Sequence, residues 1–332
     1  SAMAYRVSTL DSNGRTVYLL HDDESGARAA VLPSYGFNLF DLRLPAAGAV
    51  RRVVVAREGW EHDPDKPGRN GFPVLFPFPN RIRAGRYAWR GEDYALPLNK
   101  PPHAIHGFAI DAPWDVVAHA ADAAGASIAG RFQISRQAPE QAANWPADAI
   151  LELRYTLAGR RLTLEATVIN PSAADLPFGL GFHPYFRLPL EPGGDPAQTR
   201  VILPASRYWV LDGSLPTGER REVDGPLDFR RGRPMAGLEA DDVLTGLDFE
   251  GGWCTCRLVD LALGAEFRLA CDRSFRELVV FTPPGPGGVL AVEPYTQTTD
   301  AIHLQAEGID GGLRVLGPGA RACMRLVMET RG

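Results

Sequence analysis

The chain has 332 residues, 45% hydrophobic and 23% charged, with a formal net charge of -5. That balance gives no general attraction for nucleic acid or an anionic membrane, so the expected partner is a small molecule of modest charge. No apolar run reaches the roughly 18 residues of a membrane span and no basic segment followed by an apolar one opens the chain, which predicts a soluble, cytoplasmic protein; Ser1-Ala2 ahead of Met3 reads as a tag-cleavage scar.

Thirty-five glycines and 28 prolines, about a fifth of the chain, favour turns over long helices. In chain order, short strands are expected at residues 16–20, 29–32, 37–44 and 53–56. There follows an irregular loop, Phe76-Pro-Phe-Pro-Asn-Arg-Ile-Arg-Ala-Gly-Arg-Tyr-Ala-Trp89. In it Asn80 and Arg81 offer amide and guanidinium donors suited to vicinal hydroxyls or a carboxylate, with Arg83 and Arg86 adding charge nearby. A second loop, Pro101-Pro-His-Ala-Ile-His-Gly-Phe108, carries His103 and His106. Their spacing occurs in metal sites, but no third ligand motif accompanies them, and a neutral imidazole hydrogen-bonding a polar ligand suits the chain better. The Ala-rich stretch 118–129 reads as a connection.

The clearest period-two pattern is Arg161-Leu-Thr-Leu-Glu-Ala-Thr-Val168, whose Leu162, Leu164, Ala166 and Val168 alternate with polar residues. One face is therefore buried and the other wet. Residues 151–157 alternate likewise, and Ala158-Gly159-Arg160 links the two as a hairpin. Beyond lies Phe178-Gly-Leu-Gly-Phe-His-Pro-Tyr-Phe186, where His183 sits among glycines that admit close backbone approach and aromatic faces that stack. A strand is expected at 200–203. Arg220, Arg221, Arg230, Arg231 and Arg233 read as a solvated loop, and Asp241-Asp-Val-Leu-Thr-Gly-Leu-Asp248 as an acidic turn.

Residues 253–261 and 265–270 form a second hairpin candidate. Cys254 and Cys256 point to one face of its first strand, and four cysteines in so long a chain make no disulfide framework. Strands at 277–281, 313–316 and 321–328 complete the pattern. Sequential short strands without interleaved amphipathic helices favour an all-β antiparallel sandwich, expected as a single domain over residues 1–332. The segment Val289-Leu-Ala-Val-Glu-Pro-Tyr-Thr296 runs an apolar strand into Glu293. A buried carboxylate is costly unless it is partnered or its pKa is raised, and such groups collect at functional sites.

Taken in order, Asn80-Arg81-Ile82, His106-Gly107-Phe108-Ala109, His183-Pro184-Tyr185-Phe186, Asp241 and Glu293-Pro294 resemble the motifs of the aldose 1-epimerase, or galactose mutarotase-like, family. The resemblance implies a large antiparallel β-sandwich with a sugar cleft on one sheet and no cofactor. It also implies Glu293 as general base, His183 as general acid, and Asn80, Arg81, His106 and Asp241 as sugar-binding residues. His106 is followed by Gly-Phe where the galactose enzymes carry Gly-Gly, a pattern similar to a broader branch that includes sugar-phosphate epimerases. Two alternatives stay open: an epimerase clamping a phosphate through Arg81, Arg83 and Arg86, and a non-catalytic sugar-binding module.

Overall fold

The computed structural model describes residues 4–332, so the proposed scar at Ser1-Ala2 lies outside the described residues. Two large sheets dominate, one of 13 strands and one of eight, and every strand pairing within them is antiparallel. In the eight-stranded sheet, Ile150–Ala158 and Arg161–Ile169 pair as the expected hairpin, with Leu151 opposite Val168 and Leu157 opposite Leu162. Trp253–Asp260 and Ala265–Asp272 form the second hairpin, which joins the first through the C-terminal strand Arg321–Arg331. Their burial alternates residue by residue, as one wet face requires. Cys254 and Cys256 do share the buried face, and all four cysteines are free.

The sheets pack face to face. Phe37 of the larger sheet's side stacks on Tyr155 of the smaller at 5.7 Å, and Phe186 meets Phe267 at 4.8 Å. One continuous apolar cluster draws Leu39, Leu42, Leu290 and Val292 from one sheet and Leu151, Leu164, Leu326 and Met328 from the other. Interdigitated inner faces of this kind are what hold a β-sandwich together. Helices are short, the longest α-helix being Ala301–Ala306, and no helix among the described residues is long and apolar enough to cross a membrane.

Three expectations need correction. The Ala-rich stretch 118–129 is not a connection: Asp115–Asp122 and Gly125–Gln133 pair as a hairpin at the sheet edge. Alanine neither favours strand nor marks a face, so the period-two signal is lost on the exposed edge strand. Arg220 and Arg221 lie on an edge strand, Leu215–Glu222, where Arg220 covers Trp209. The acidic segment beginning at Asp241 is a strand, Asp241–Leu247, and this matters for the site.

Candidate active site

Alternation along the centre of the large sheet places the site. On Val289–Tyr295, Leu290 and Val292 enter the sandwich core, while Ala291, Glu293 and Tyr295 share the outer face. The neighbouring strand sets Val279 opposite Glu293 and Phe281 opposite Ala291. The next sets Asp241 opposite Phe281. Asp241 and Glu293 thus belong to adjoining rows of one surface, which a turn at Asp241 could not have achieved.

Loops wall that surface into a cavity of about 600 Å³. The strand pair Arg81–Ile82 with Ala104–Ile105 joins two of them. Just outside this pair the Asn80 N–H donates to His106 Nδ1 and the His106 N–H donates to the Asn80 carbonyl, both at 3.0 Å. Asn80 and His106 adopt φ of 59° and 67°, a strained region that this mutual bracing holds. Gly107 follows at φ 69°, where a Cβ would lie 2.2 Å from the Phe76 carbonyl oxygen, so the His106-Gly107 step requires glycine. Gly181 serves the third loop in another way: a Cβ there would strike the Tyr295 ring at 2.5 Å.

His183 is held by its N–H to the Pro73 carbonyl at 3.0 Å and by stacking on Tyr185 at 4.9 Å. Its Nε2 lies 3.3 Å from Glu293 Oε1, and the Tyr295 hydroxyl donates to that same oxygen at 2.6 Å. Both partners are almost sealed, Glu293 at 1% exposure and His183 at 7%. Burial pushes the Glu293 carboxyl well above its ordinary 4.5, with Asp241's charge adding to the rise and the Tyr295 bond opposing it. Burial also pushes His183 down to about 3. The pair sits at ion-pair distance, yet desolvation prevails, because no arginine or lysine among the described residues bonds the carboxyl. Burial therefore favours a protonated Glu293 beside a neutral His183.

His106 is a fixed donor. Its Nδ1 accepts from Asn80, which leaves the proton on Nε2, and burial with the nearby His183, Arg81 and Lys100 keeps the ring neutral. Arg81 has one side-chain bond, Nη1 to Asn80 Oδ1 at 3.3 Å, and no ion pair among the described residues, so most of its fork is free. Asp241 has its pKa raised by burial, tempered by Arg81 and Arg69.

All six residues singled out in the sequence, Asn80, Arg81, His106, His183, Asp241 and Glu293, line this one cavity. His103 does not, its Nδ1 instead accepting from the Ala84 N–H at 3.0 Å. Nor do Arg83 and Arg86: Arg83 Nε faces Asp300 at 3.6 Å and Arg86 is exposed on a small hairpin. The three-arginine clamp is therefore not assembled at the cavity. Sequence reasoning also missed Tyr295, although its i, i+2 spacing from Glu293 on a strand puts both on one face. Asp300 was missed with no signal to find it. Its N–H donates to the Arg81 carbonyl at 2.9 Å and its Oδ1 accepts from the Arg83 N–H at 3.0 Å and contacts His303 Nδ1 at 2.6 Å, latching the loop that carries Arg81.

Comparison with known proteins gives one answer. Residues 19–323 match the family described as Aldose 1-epimerase. The uncharacterized protein YphB of Escherichia coli (strain K12) is 34% identical over 167 residues, 49% of this chain and 51% of that protein. The galactose mutarotase of Rattus norvegicus is 29% identical over 154 residues, 46% of this chain and 43% of its own. The chain thus spans about half the length of these curated relatives. A galactose mutarotase-like protein from Clostridium acetobutylicum has the same fold at TM-score 0.90, with 20% identity and 99% of each chain covered. The galactose 1-epimerase of Lactobacillus acidophilus NCFM superposes at TM-score 0.75, with 17% identity and 99% coverage of both.

Proposed function

The chain belongs to the aldose 1-epimerase family, and from that premise we propose that it interconverts the α and β anomers of a hexose without a cofactor, with Glu293 as general base and His183 as general acid. The observation that carries this reading is the contact of these two groups, 3.3 Å apart and buried, in a cavity edged by hydroxyl-binding donors and acceptors. Anomer exchange requires one proton to leave the C1 hydroxyl and another to reach the ring oxygen, atoms that share a single carbon. Two adjacent proton-transfer groups meet that requirement.

In the ring-opening direction the ionised Glu293 takes the proton from O1, the C1–O5 bond breaks to leave an aldehyde, and His183 gives its proton to O5. Rotation about C1–C2 presents the other carbonyl face, and the two transfers reverse as the ring closes. After opening, Glu293 is protonated and His183 neutral, the arrangement that burial favours. Moving that proton from the carboxyl to the imidazole prepares the site for a closed ring, and the substrate's hydroxyls supply the polarity that ion formation needs. Each positioned transfer contributes roughly 10²–10⁴-fold.

Arg81, His106, Asn80 and Asp241 hold the sugar in this reading. Arg81 and the His106 Nε2–H donate to its hydroxyl oxygens, and Asp241 accepts from hydroxyl hydrogens. The test is anomer exchange by saturation-transfer NMR across a panel of neutral aldoses. Exchange well above the spontaneous rate is expected for at least one sugar. Saturable binding with no faster exchange would instead establish a sugar-binding module.

A further inference from the structure

Beside the cavity runs a second groove of about 900 Å³ that shares Lys66, Arg69 and Tyr185 with it. We propose that this groove is a subsite for an acidic group carried by the aldose at the end remote from its anomeric carbon, met by Arg187, Arg69 and Lys66. That the ligand is an aldose rests on the epimerase reading; the anion subsite does not.

The sheet fixes where the cations stand. Arg187 lies two residues beyond Tyr185 on the same strand and opposite Val289, which precedes Glu293 by four residues on the same face. At about 3.3 Å per residue that separates Val289 from Glu293 by about 13 Å along the strand. That spacing accommodates one sugar ring and its substituent between Glu293 and the position of Arg187. Arg69 stands nearer, on the boundary between cavity and groove, its guanidinium 5.1 Å from the centre of the Phe281 ring.

Charge in the groove is unbalanced. Arg57 is paired with Asp65 at 3.0 Å, and Asp65 is the one carboxylate of the lining. Arg52 is paired with Asp41 at 2.9 Å, and Asp41 already receives Arg28 and Arg43. Arg187, Arg69 and Lys66 form no ion pair and no side-chain hydrogen bond among the described residues. For Arg187 this is costly, because it is half-buried. Burial first, then Arg52 and Arg43, press its pKa down, with only Asp41 opposing. A half-buried guanidinium among like charges, with all its donors unused, gains strongly from an incoming phosphate, sulfate or carboxylate, which it can meet through two parallel bonds.

The experiment compares anomer exchange of a neutral hexose, its 6-phosphate and a disaccharide ending in a hexuronic acid, in the wild type, Arg187→Gln and Lys66→Met, with direct binding of each sugar by calorimetry. The wild type should prefer one acidic sugar over the neutral one by tenfold or more in kcat/KM, and added salt should shrink that ratio. Arg187→Gln should bring the ratio near one. Lys66→Met, at an exposed position, should lower it severalfold and serves if the first variant folds poorly. The 6-phosphate and the acidic disaccharide separate a short carrier of the anion from a long one. Equal or better use of the neutral hexose, or a ratio unchanged in both variants, overturns the subsite while leaving the epimerase intact. Arg187-dependent binding of acidic sugars with no exchange of any sugar would keep the subsite and overturn the epimerase.

Discussion

In the eight-stranded sheet, Arg161–Ile169 buries every second side chain and leaves the others to water, whereas Val289–Tyr295 in the larger sheet is buried at six of its seven positions. The first pattern is what folding alone asks of a sheet covering one side of a sandwich. The second needs something to cover the outer face as well, and at Glu293 the cover is a cavity wall of histidine, tyrosine and arginine. A polar residue on a wet face costs nothing; on the second kind of face it must be partnered or its pKa must move. Chemistry has gathered where the fold made charge expensive.

Substitutions can break this contrast. His183→Asn removes the proposed acid while keeping a polar group of similar reach, and should lower kcat by roughly 10²–10⁴ with little change in melting temperature. A small kinetic effect would remove His183 from the proton transfers. In the other sheet, Leu164 is fully buried. Leu164→Ala should cost about 2–5 kcal/mol of stability by chemical denaturation, yet leave kcat per folded molecule unchanged. Asp241→Asn keeps the shape of a hydroxyl acceptor and loses its charge, so KM should rise about tenfold, about 1.4 kcal/mol, more than kcat falls.

A finer comparison lies within the large sheet. Glu277 shares the outer face with Glu293 but lines no part of the cavity; its Oε2 accepts from Trp209 Nε1 at 3.2 Å, and burial pushes its carboxyl from 4.5 up to about 8. Between these values the unfolded chain releases the proton while the folded protein keeps it. Stability should therefore fall as pH rises through that window, by up to about 1.4 kcal/mol per pH unit from this group. Glu277→Gln should flatten the slope without slowing anomer exchange, as pH-dependent denaturant melts and NMR exchange can check. Loss of exchange would mean that Glu277 is joined to the site.

The hairpin strands were legible because their burial alternates: 161–168 and 253–261 each show the period their pairing later requires. The Asp115–Asp122 strand was not legible, since an exposed alanine-rich edge has no apolar face to announce. Five short motifs were enough to name six cavity residues, because each pairs a chemically able side chain with the glycine, proline or strand end that aims it. Other features depended on tertiary register. Asp241 is a strand residue only by its pairing with Phe281, and Asp300 braces Arg81 and Arg83 across more than two hundred residues of sequence. The unpaired state of Arg187 is visible only once the partners of Arg52 and Arg57 are known.

The most direct test is the anomer exchange rate of a hexose by saturation-transfer NMR, with wild type and Glu293→Gln at equal concentration and matched folded fraction. Glutamine preserves the side chain's size and can still accept from the Tyr295 hydroxyl, but cannot take a proton from O1. The wild type is expected to exceed the spontaneous rate by orders of magnitude and the variant to fall back close to it. A variant that retains most of the wild-type rate would contradict the assignment of Glu293 as the base.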